Sequence, residues 1–205
     1  MKIAAILPIR ALDDGKQRLR DLLTPPERRR LIQRLFGRTL AAIRDANVAQ
    51  RIVAVSPDAA TIGWIASQGV TPIAQPDRGL NAGLEHARRV IVAADQVDAL
   101  LVVLPDLPLI QADDLRAFAA RGGSDTVVLA ADRHGVGTNA LLLPIANGLP
   151  FCFGTDSFAA HQSVAHAAGL RVVIDRSPGL AFDVDTPDDV LLLDQVGTAL
   201  ARSDG

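Results

Sequence analysis

Apolar runs of strand length alternate along the chain with longer stretches whose apolar positions recur at helical spacing. Ile3–Leu7 opens the series and reads as a first, central strand. Thr24-Pro25-Pro26-Glu27 is a capping box with proline inside the first turn. A helix therefore starts there and runs to about Asp45, with Leu31, Ile32, Leu35, Leu40 and Ile43 on its apolar side. Ile52–Val55 gives a second strand, Asp58–Ser67 a helix, Val70–Ala74 a third strand and Leu80–Ala94 a helix. Ala99–Leu104 is a strand, Ala112–Arg121 a helix and Thr126–Ala130 a strand. Asn139–Leu143 is a strand with no helix before it, which predicts an antiparallel strand at a sheet edge. Ser157 caps a helix to about Ala168, Arg171–Ile174 is a strand, and Thr186 caps a last helix through about Ala201. The final few residues are expected to be disordered. This rhythm predicts an α/β fold, a single domain over 1–205 with a mostly parallel sheet and helices on both faces.

Composition narrows the function. About half of the 205 residues are apolar, enough for a substantial core. The formal net charge of −2 points to neither nucleic acid nor a membrane surface. Cys152 is the one cysteine, so no internal disulfide can form, and a reducing compartment fits. The amino-terminal stretch is too short for a signal-peptide core, and no apolar run approaches a membrane span. A cytoplasmic location is expected. Aromatic residues are too sparse, at 3%, to mark an interface, which leaves the oligomeric state open.

Two acidic corners carry the chemistry. Leu101–Leu104 ends in Pro105-Asp106-Leu107-Pro108, a carboxylate at the carboxyl end of a buried strand, where open α/β sheets place ligands. Phe182-Asp183-Val184-Asp185-Thr186 is the second corner. In an extended segment Asp183 and Asp185 point to the same side, where they repel unless a cation or base lies between them. Together the corners suit one Mg²⁺ and a nucleoside triphosphate. A lone Asp between prolines serves equally as a turn residue, and Asp185 or Thr186 could simply cap the last helix. Asp183 is hard to fit to that capping role.

The loop 7–20 leaves the first strand with Arg10, Lys16 and Arg18, cations able to grip a triphosphate, although the glycines and Lys-Ser/Thr ending of a Walker A loop are missing. Only Lys2 and Lys16 among the 21 basic residues are lysines. Gly79-Leu80-Asn81 opens a helix. Gly79 permits close backbone approach, and Asn81 offers a donor and an acceptor to a nucleobase edge or serves as a plain cap. Asp132–Asn139 is small and polar, with Gly135, Gly137 and Thr138 suited to wrapping an anion. Gly154 leads to Ser157, whose helix start is either a phosphate or carboxylate site or an ordinary cap. His134 reads as structural and Cys152 as a small apolar filler. No nucleophile–His–acid set and no zinc-ligand spacing is present.

With these residues, about Lys2 to Val196 resembles the CofC-type guanylyltransferases of coenzyme F-420 biosynthesis, small nucleotidyltransferases of GT-A-like fold. The specific parts are Arg78-Gly79-Leu80-Asn81, Asp106-Leu107-Pro108-Leu109, Asp132 through Leu142, Phe153-Gly154 with Ser157-Phe158, and Ser177–Leu180 leading to Asp183-Val184-Asp185-Thr186-Pro187. The resemblance implies joining of GTP to a small phosphorylated carboxylic acid with release of pyrophosphate. That acid is phosphoenolpyruvate, 2-phospho-L-lactate or 3-phospho-D-glycerate, and the product passes to a downstream transferase. By position it implies Mg²⁺ on Asp106, Asp183 and Asp185, and GTP on the first loop and Gly79–Asn81. Arg10 and Lys16 would stabilise the departing pyrophosphate, and Thr138, Gly154 and Ser157 would hold the acid. The family often has Lys where this chain has Arg10, and Ala-Lys-Ser-Arg where it has Gly15-Lys16-Gln17-Arg18. A molybdopterin-type nucleotidyltransferase is the rival enzyme, but its first loop is usually glycine-rich. A non-catalytic nucleotide-binding regulator is the other rival, and intact carboxylates at both corners argue against it.

Overall fold

A computed structural model describes residues 1–76 and 79–193. Arg78, and the positions expected to continue the last helix to Ala201 and to end the chain, lie outside the described residues. The elements run β1 (Ile3–Pro8), α1 (Pro25–Ala46), β2 (Arg51–Ser56), α2 (Ala59–Ser67), β3 (Thr71–Ala74), α3 (Leu80–Ala94), β4 (Ala99–Val103), α4 (Ala112–Ala120), β5 (Thr126–Ala131), β6 (Thr138–Pro144), α5 (Ser157–Ala167), β7 (Arg171–Asp175) and α6 (Pro178–Ala181). A further helix, α7, covers 187–193. Single-turn 3-10 helices at Gln17–Leu19 and Ile145–Asn147 and the short α6 carry no periodic signal of their own.

Seven strands form one sheet in the order β3-β2-β1-β4-β6-β5-β7. β1 pairs in parallel with β2 and β4, β2 with β3, and β5 with β7. β1 is buried along its whole length and alternates between two cores. Ile3, Ala5 and Leu7 pack with Phe36 and Ile43 of α1, Ile65 of α2 and Phe118 of α4. Ala4 and Ile6 pack on the other face with Leu84, Ala87 and Ile91 of α3 and Ala165 of α5. Helices thus cover both faces, as a parallel sheet requires.

The edge placement expected for Asn139–Leu143 is incorrect. β6 is antiparallel, as expected, but it lies inside the sheet between β4 and β5. The connection 132–137 is too short for a parallel crossover, so the chain must return antiparallel. All seven residues of β6 are buried, and its unbroken apolar run, without polar alternation, is the pattern of a strand covered on both faces.

α1 begins as read: Thr24 is its N-cap, and Glu27 accepts from the Thr24 N–H at 2.8 Å. At α5 the cap is Asp156, and Ser157 is the first helical residue. The carboxyl ends of β1, β2, β3 and β4 open toward one rim of the sheet, and the site is built there.

Candidate active site

Loop 9–23 is anchored to the body of the protein. Leu12 and Leu19 are buried, and the Leu12 N–H donates to Thr61 Oγ1 at 3.1 Å. Gly15 lies so close to Ile32 that a Cβ there would collide with it. Lys16 then adopts a left-handed conformation, φ 53°, that side-chain-bearing residues rarely take. This turn sends Lys16 inward, leaving its side chain only 11% exposed.

The ammonium of Lys16 meets both acidic corners. Lys16 Nζ donates to Asp106 Oδ2 at 2.7 Å and to Asp185 Oδ1 at 2.6 Å. Burial alone would lower its proton affinity; the two carboxylates outweigh that and raise it above the ordinary lysine value. The corners are also joined through the backbone, where the Val184 N–H donates to the Asp106 carbonyl at 3.2 Å. Phe182 and Val184 are buried against Leu35 of α1, while Asp183 and Asp185 alternate with them on the other side. Burial, and then the Asp106 and Asp185 charges, push the Asp183 carboxyl up from its ordinary value. Asn139 supports this corner, its amide donating to the Leu180 carbonyl at 3.0 Å and the Ala181 carbonyl at 3.2 Å.

Arg133 clamps the same segment. It pairs with Asp189, donates to the Asp183 carbonyl at 3.3 Å and lies over the Phe182 ring, 5.1 Å from its centroid. Asp189 in turn accepts from the Asp185 and Thr186 N–H groups at 2.7 Å each. Burial would raise the Asp189 carboxyl, but these bonds and Arg133 hold it below the ordinary range. Sequence reasoning has Arg133 in the small polar loop and Asp189 only as an acid favouring the start of the last helix; it does not pair them, although Thr186-x-x-Asp189 is a helix-start pattern.

A cavity of about 770 Å³ opens beside the carboxylates. Arg10, Gly15, Lys16, Gly79, Leu80 and Asp106 line it, together with Ile9, Val55 and Pro57 from the rim of the sheet. Arg10 is exposed, and its carbonyl accepts from Ser56 Oγ at 2.5 Å. Asn81 is turned to the loop 151–154 and does not line this cavity. Its Nδ2 donates to the Phe153 carbonyl at 2.8 Å, and its Oδ1 accepts from the Phe153 N–H at 2.9 Å.

Thr138 and the loop before α5 meet at His161, which sequence reasoning missed, and at the end of that loop the Ser157 N–H donates to the Gly154 carbonyl at 3.2 Å. Thr138 Oγ1 lies 3.1 Å from His161 Nδ1, and His161 Nε2 accepts from the Cys152 N–H at 3.0 Å. Thr138 and Ser157 are buried, and Gly154 is exposed at φ 132°. Burial pushes the His161 imidazole down to about 4, so it is neutral at physiological pH. The spacing Ser157–His161, one helical turn, was the available signal.

The donor set suits a hard divalent cation. Asp106 Oδ1 is buried without a hydrogen-bond partner, and two carboxylates already share one positive charge. Among the described residues no three ligating side chains form a closed cage. Mg²⁺ does not need one, because it takes one or two carboxylates and completes its shell with substrate phosphates and water.

Comparison with known proteins supplies the lineage. A family model described as "Guanylyl transferase CofC like" matches residues 3–199. A protein of Sphaerobacter thermophilus named phosphoenolpyruvate guanylyltransferase is 39% identical over 190 residues, covering 93% of this chain and 91% of that protein. Among solved structures, a nucleotidyl transferase from Methanothermobacter superposes with a TM-score of 0.68 at 16% identity, covering 94% of this chain and 95% of that one. A Mycobacterium tuberculosis protein solved in complex with manganese gives a TM-score of 0.63 at 18% identity, covering 94% and 98%. These two share the fold, the GT-A-like arrangement of nucleotidyltransferases. No described helix is long and apolar enough to cross a membrane.

Proposed function

The chain belongs to the CofC-like guanylyl transferase family, and we propose that it joins the guanylyl group of GTP to the phosphate of phosphoenolpyruvate, releasing pyrophosphate, in the cytoplasm. The observation that carries the choice of acid is the relative named for phosphoenolpyruvate, 39% identical across 93% of the chain. In the reaction a phosphate oxygen of the acid forms a bond to the α-phosphorus of GTP as the bond to the β-phosphate oxygen breaks. That oxygen is already anionic, so no strong general base is needed. The task is to hold two anions together and neutralise charge on the leaving group.

The residues divide as follows in this reading. Arg10 and Lys16 face the departing pyrophosphate. Gly79 and Leu80 border the nucleotide. Thr138, Gly154 and Ser157 bound the acid. Asp106, with Asp183 or Asp185, would hold Mg²⁺, which when bound would supply positive charge to the phosphate oxygens. The lone buried oxygen of Asp106 supports that assignment. The product is an activated diester of pyrophosphate, suited to consumption by a downstream transferase.

Pyrophosphate release with GTP, Mg²⁺ and each of phosphoenolpyruvate, 2-phospho-L-lactate and 3-phospho-D-glycerate tests the reading, with the downstream transferase present to draw product away. Release with phosphoenolpyruvate is expected. Release with only one of the others would reassign the acid. No release with any of them, despite GTP binding, would overturn guanylyl transfer to such acids and favour the regulator.

A further inference from the structure

The segment 151–154 belongs to no helix or strand, so its path must be set by its side chains and by what bonds its backbone. Phe151 and Phe153 are buried in the core that also holds α3 and α5. Two successive backbone N–H groups are then taken by side chains from two different helices. The Cys152 N–H donates to His161 of α5 at 3.0 Å, and the Phe153 N–H donates to Asn81 of α3 at 2.9 Å. Asn81 closes the pair by donating back to the Phe153 carbonyl at 2.8 Å. A carboxamide suits that reciprocal bond to one residue's backbone, because it carries donor and acceptor side by side.

The imidazole is fixed in the same way. A backbone N–H can only donate, so His161 Nε2 keeps its lone pair, and in the neutral ring the proton sits on Nδ1. Nδ1 faces Thr138 Oγ1 at 3.1 Å, so the Thr138 hydroxyl proton cannot be directed at the imidazole. The ring also meets the edge of Phe153, with centroids 4.8 Å apart. Immediately after this fastening the chain reaches Gly154 at φ 132°, a conformation open to glycine alone without strain.

We propose that Asn81 and His161 are positioning residues for the phosphorylated acid, acting by fixing the backbone that carries Gly154, and that Asn81 does not read the guanine base. The proposal rests on the reading above that places the acid at Gly154. Both polar atoms of Asn81 are engaged by Phe153, although its neighbours Gly79 and Leu80 line the cavity. One helix start therefore forms a wall of the nucleotide cavity and, one residue on, holds the loop for the acid. The distance between the two substrates is set through Asn81.

Steady-state kinetics with GTP and phosphoenolpyruvate varied separately test this, alongside thermal melting of each variant. Asn81→Ala and His161→Ala are expected to raise KM for phosphoenolpyruvate at least ten-fold and leave KM for GTP within two-fold. His161→Gln keeps an acceptor within reach of the Cys152 N–H and is expected to recover part of the loss. Asn81→Asp keeps one of the two bonds to Phe153 and serves if Asn81→Ala does not fold. A rise in KM for GTP alone would overturn the proposal and return Asn81 to the base. Lower melting temperature with both KM values unchanged would also overturn it, leaving a structural role only. Gly154→Ala separates the two levels of argument. If it leaves KM for phosphoenolpyruvate unchanged, the acid does not sit at this loop and the underlying reading fails. If it raises that KM while the Asn81 and His161 variants do not, only the positioning role fails.

Discussion

Asp106 and Asp185 meet through one ammonium group, Lys16 Nζ lying 2.7 Å from the first carboxylate and 2.6 Å from the second. The two carboxylates proposed to hold a divalent cation are thus neutralised by a side chain from the loop proposed to hold the triphosphate. A metal taking both carboxylates would compete with the ammonium and would leave Lys16 to the phosphates. Lys16→Ala is therefore expected to bind Mn²⁺ more tightly than the parent without nucleotide, read by titration calorimetry. Its turnover is expected to fall by roughly 10²–10³, the scale of losing one charge-stabilising group. Equal Mn²⁺ affinities would show that the ammonium and the metal do not compete.

Asp106 stands at the junction of both corners, its carbonyl bound by Val184 and its carboxylate by Lys16. Asp106→Asn keeps the shape and removes the charge. Pyrophosphate release is expected to fall by roughly 10³ or more, with an unchanged circular dichroism spectrum. A near-normal rate with normal Mg²⁺ dependence would take Asp106 out of the metal site.

Asp183 predicts a stability effect of unusual sign. Burial, then the neighbouring Asp106 and Asp185 charges, raise its carboxyl above the unfolded value. A raised carboxyl binds its proton more tightly folded than unfolded, so ionised Asp183 costs stability above that raised value, and the cost is relieved as pH falls through it. Metal-free Asp183→Asn should melt a few degrees above the parent at pH 7, with the gap closing in acid. Saturating divalent cation should reverse the order, because the parent then has a partner for the charge. A variant that melts lower at pH 7 without metal would show that the Asp183 carboxylate is already compensated.

The acidic corners were legible because their chemistry is local. A carboxylate ending an apolar run, and Asp183 and Asp185 alternating with Phe182 and Val184, declare their side of the chain in the residues themselves. Lys16 was legible as a cation in the right loop, but its partners lie 90 and 169 positions away, and sequence spacing carries no such distance. The same limit hid Arg133–Asp189 and the reciprocal bond of Asn81. For Asn81 the residue type announced donor and acceptor capacity but not that the Phe153 backbone would use both. β6 differs for another reason: the missing helix fixes its direction but not its place, and the unbroken apolar run is what marks it as interior. His161 was passed over because a single histidine within a helix resembles any surface residue until its burial is known.

That burial gives His161 a second, independent signature in acid. The imidazole is held at about 4 in the folded protein, against 6.5 for the free group, because burial removes the water that would stabilise its charge. Below pH 6.5 the unfolded chain takes up a proton that the folded chain refuses. The stability His161 contributes is therefore complete above pH 6.5 and is lost as pH falls toward 4. The full loss is roughly 3 kcal/mol on the conversion of 1.36 kcal/mol per unit. His161→Gln cannot take up that proton. Denaturant melts of parent and variant at pH 7.5, 6, 5 and 4 should show the parent losing stability faster, their difference shrinking toward acid by an amount of that order. Parallel pH profiles would mean that the folded imidazole takes up its proton as readily as the unfolded one, and would show that burial does not hold it neutral in acid.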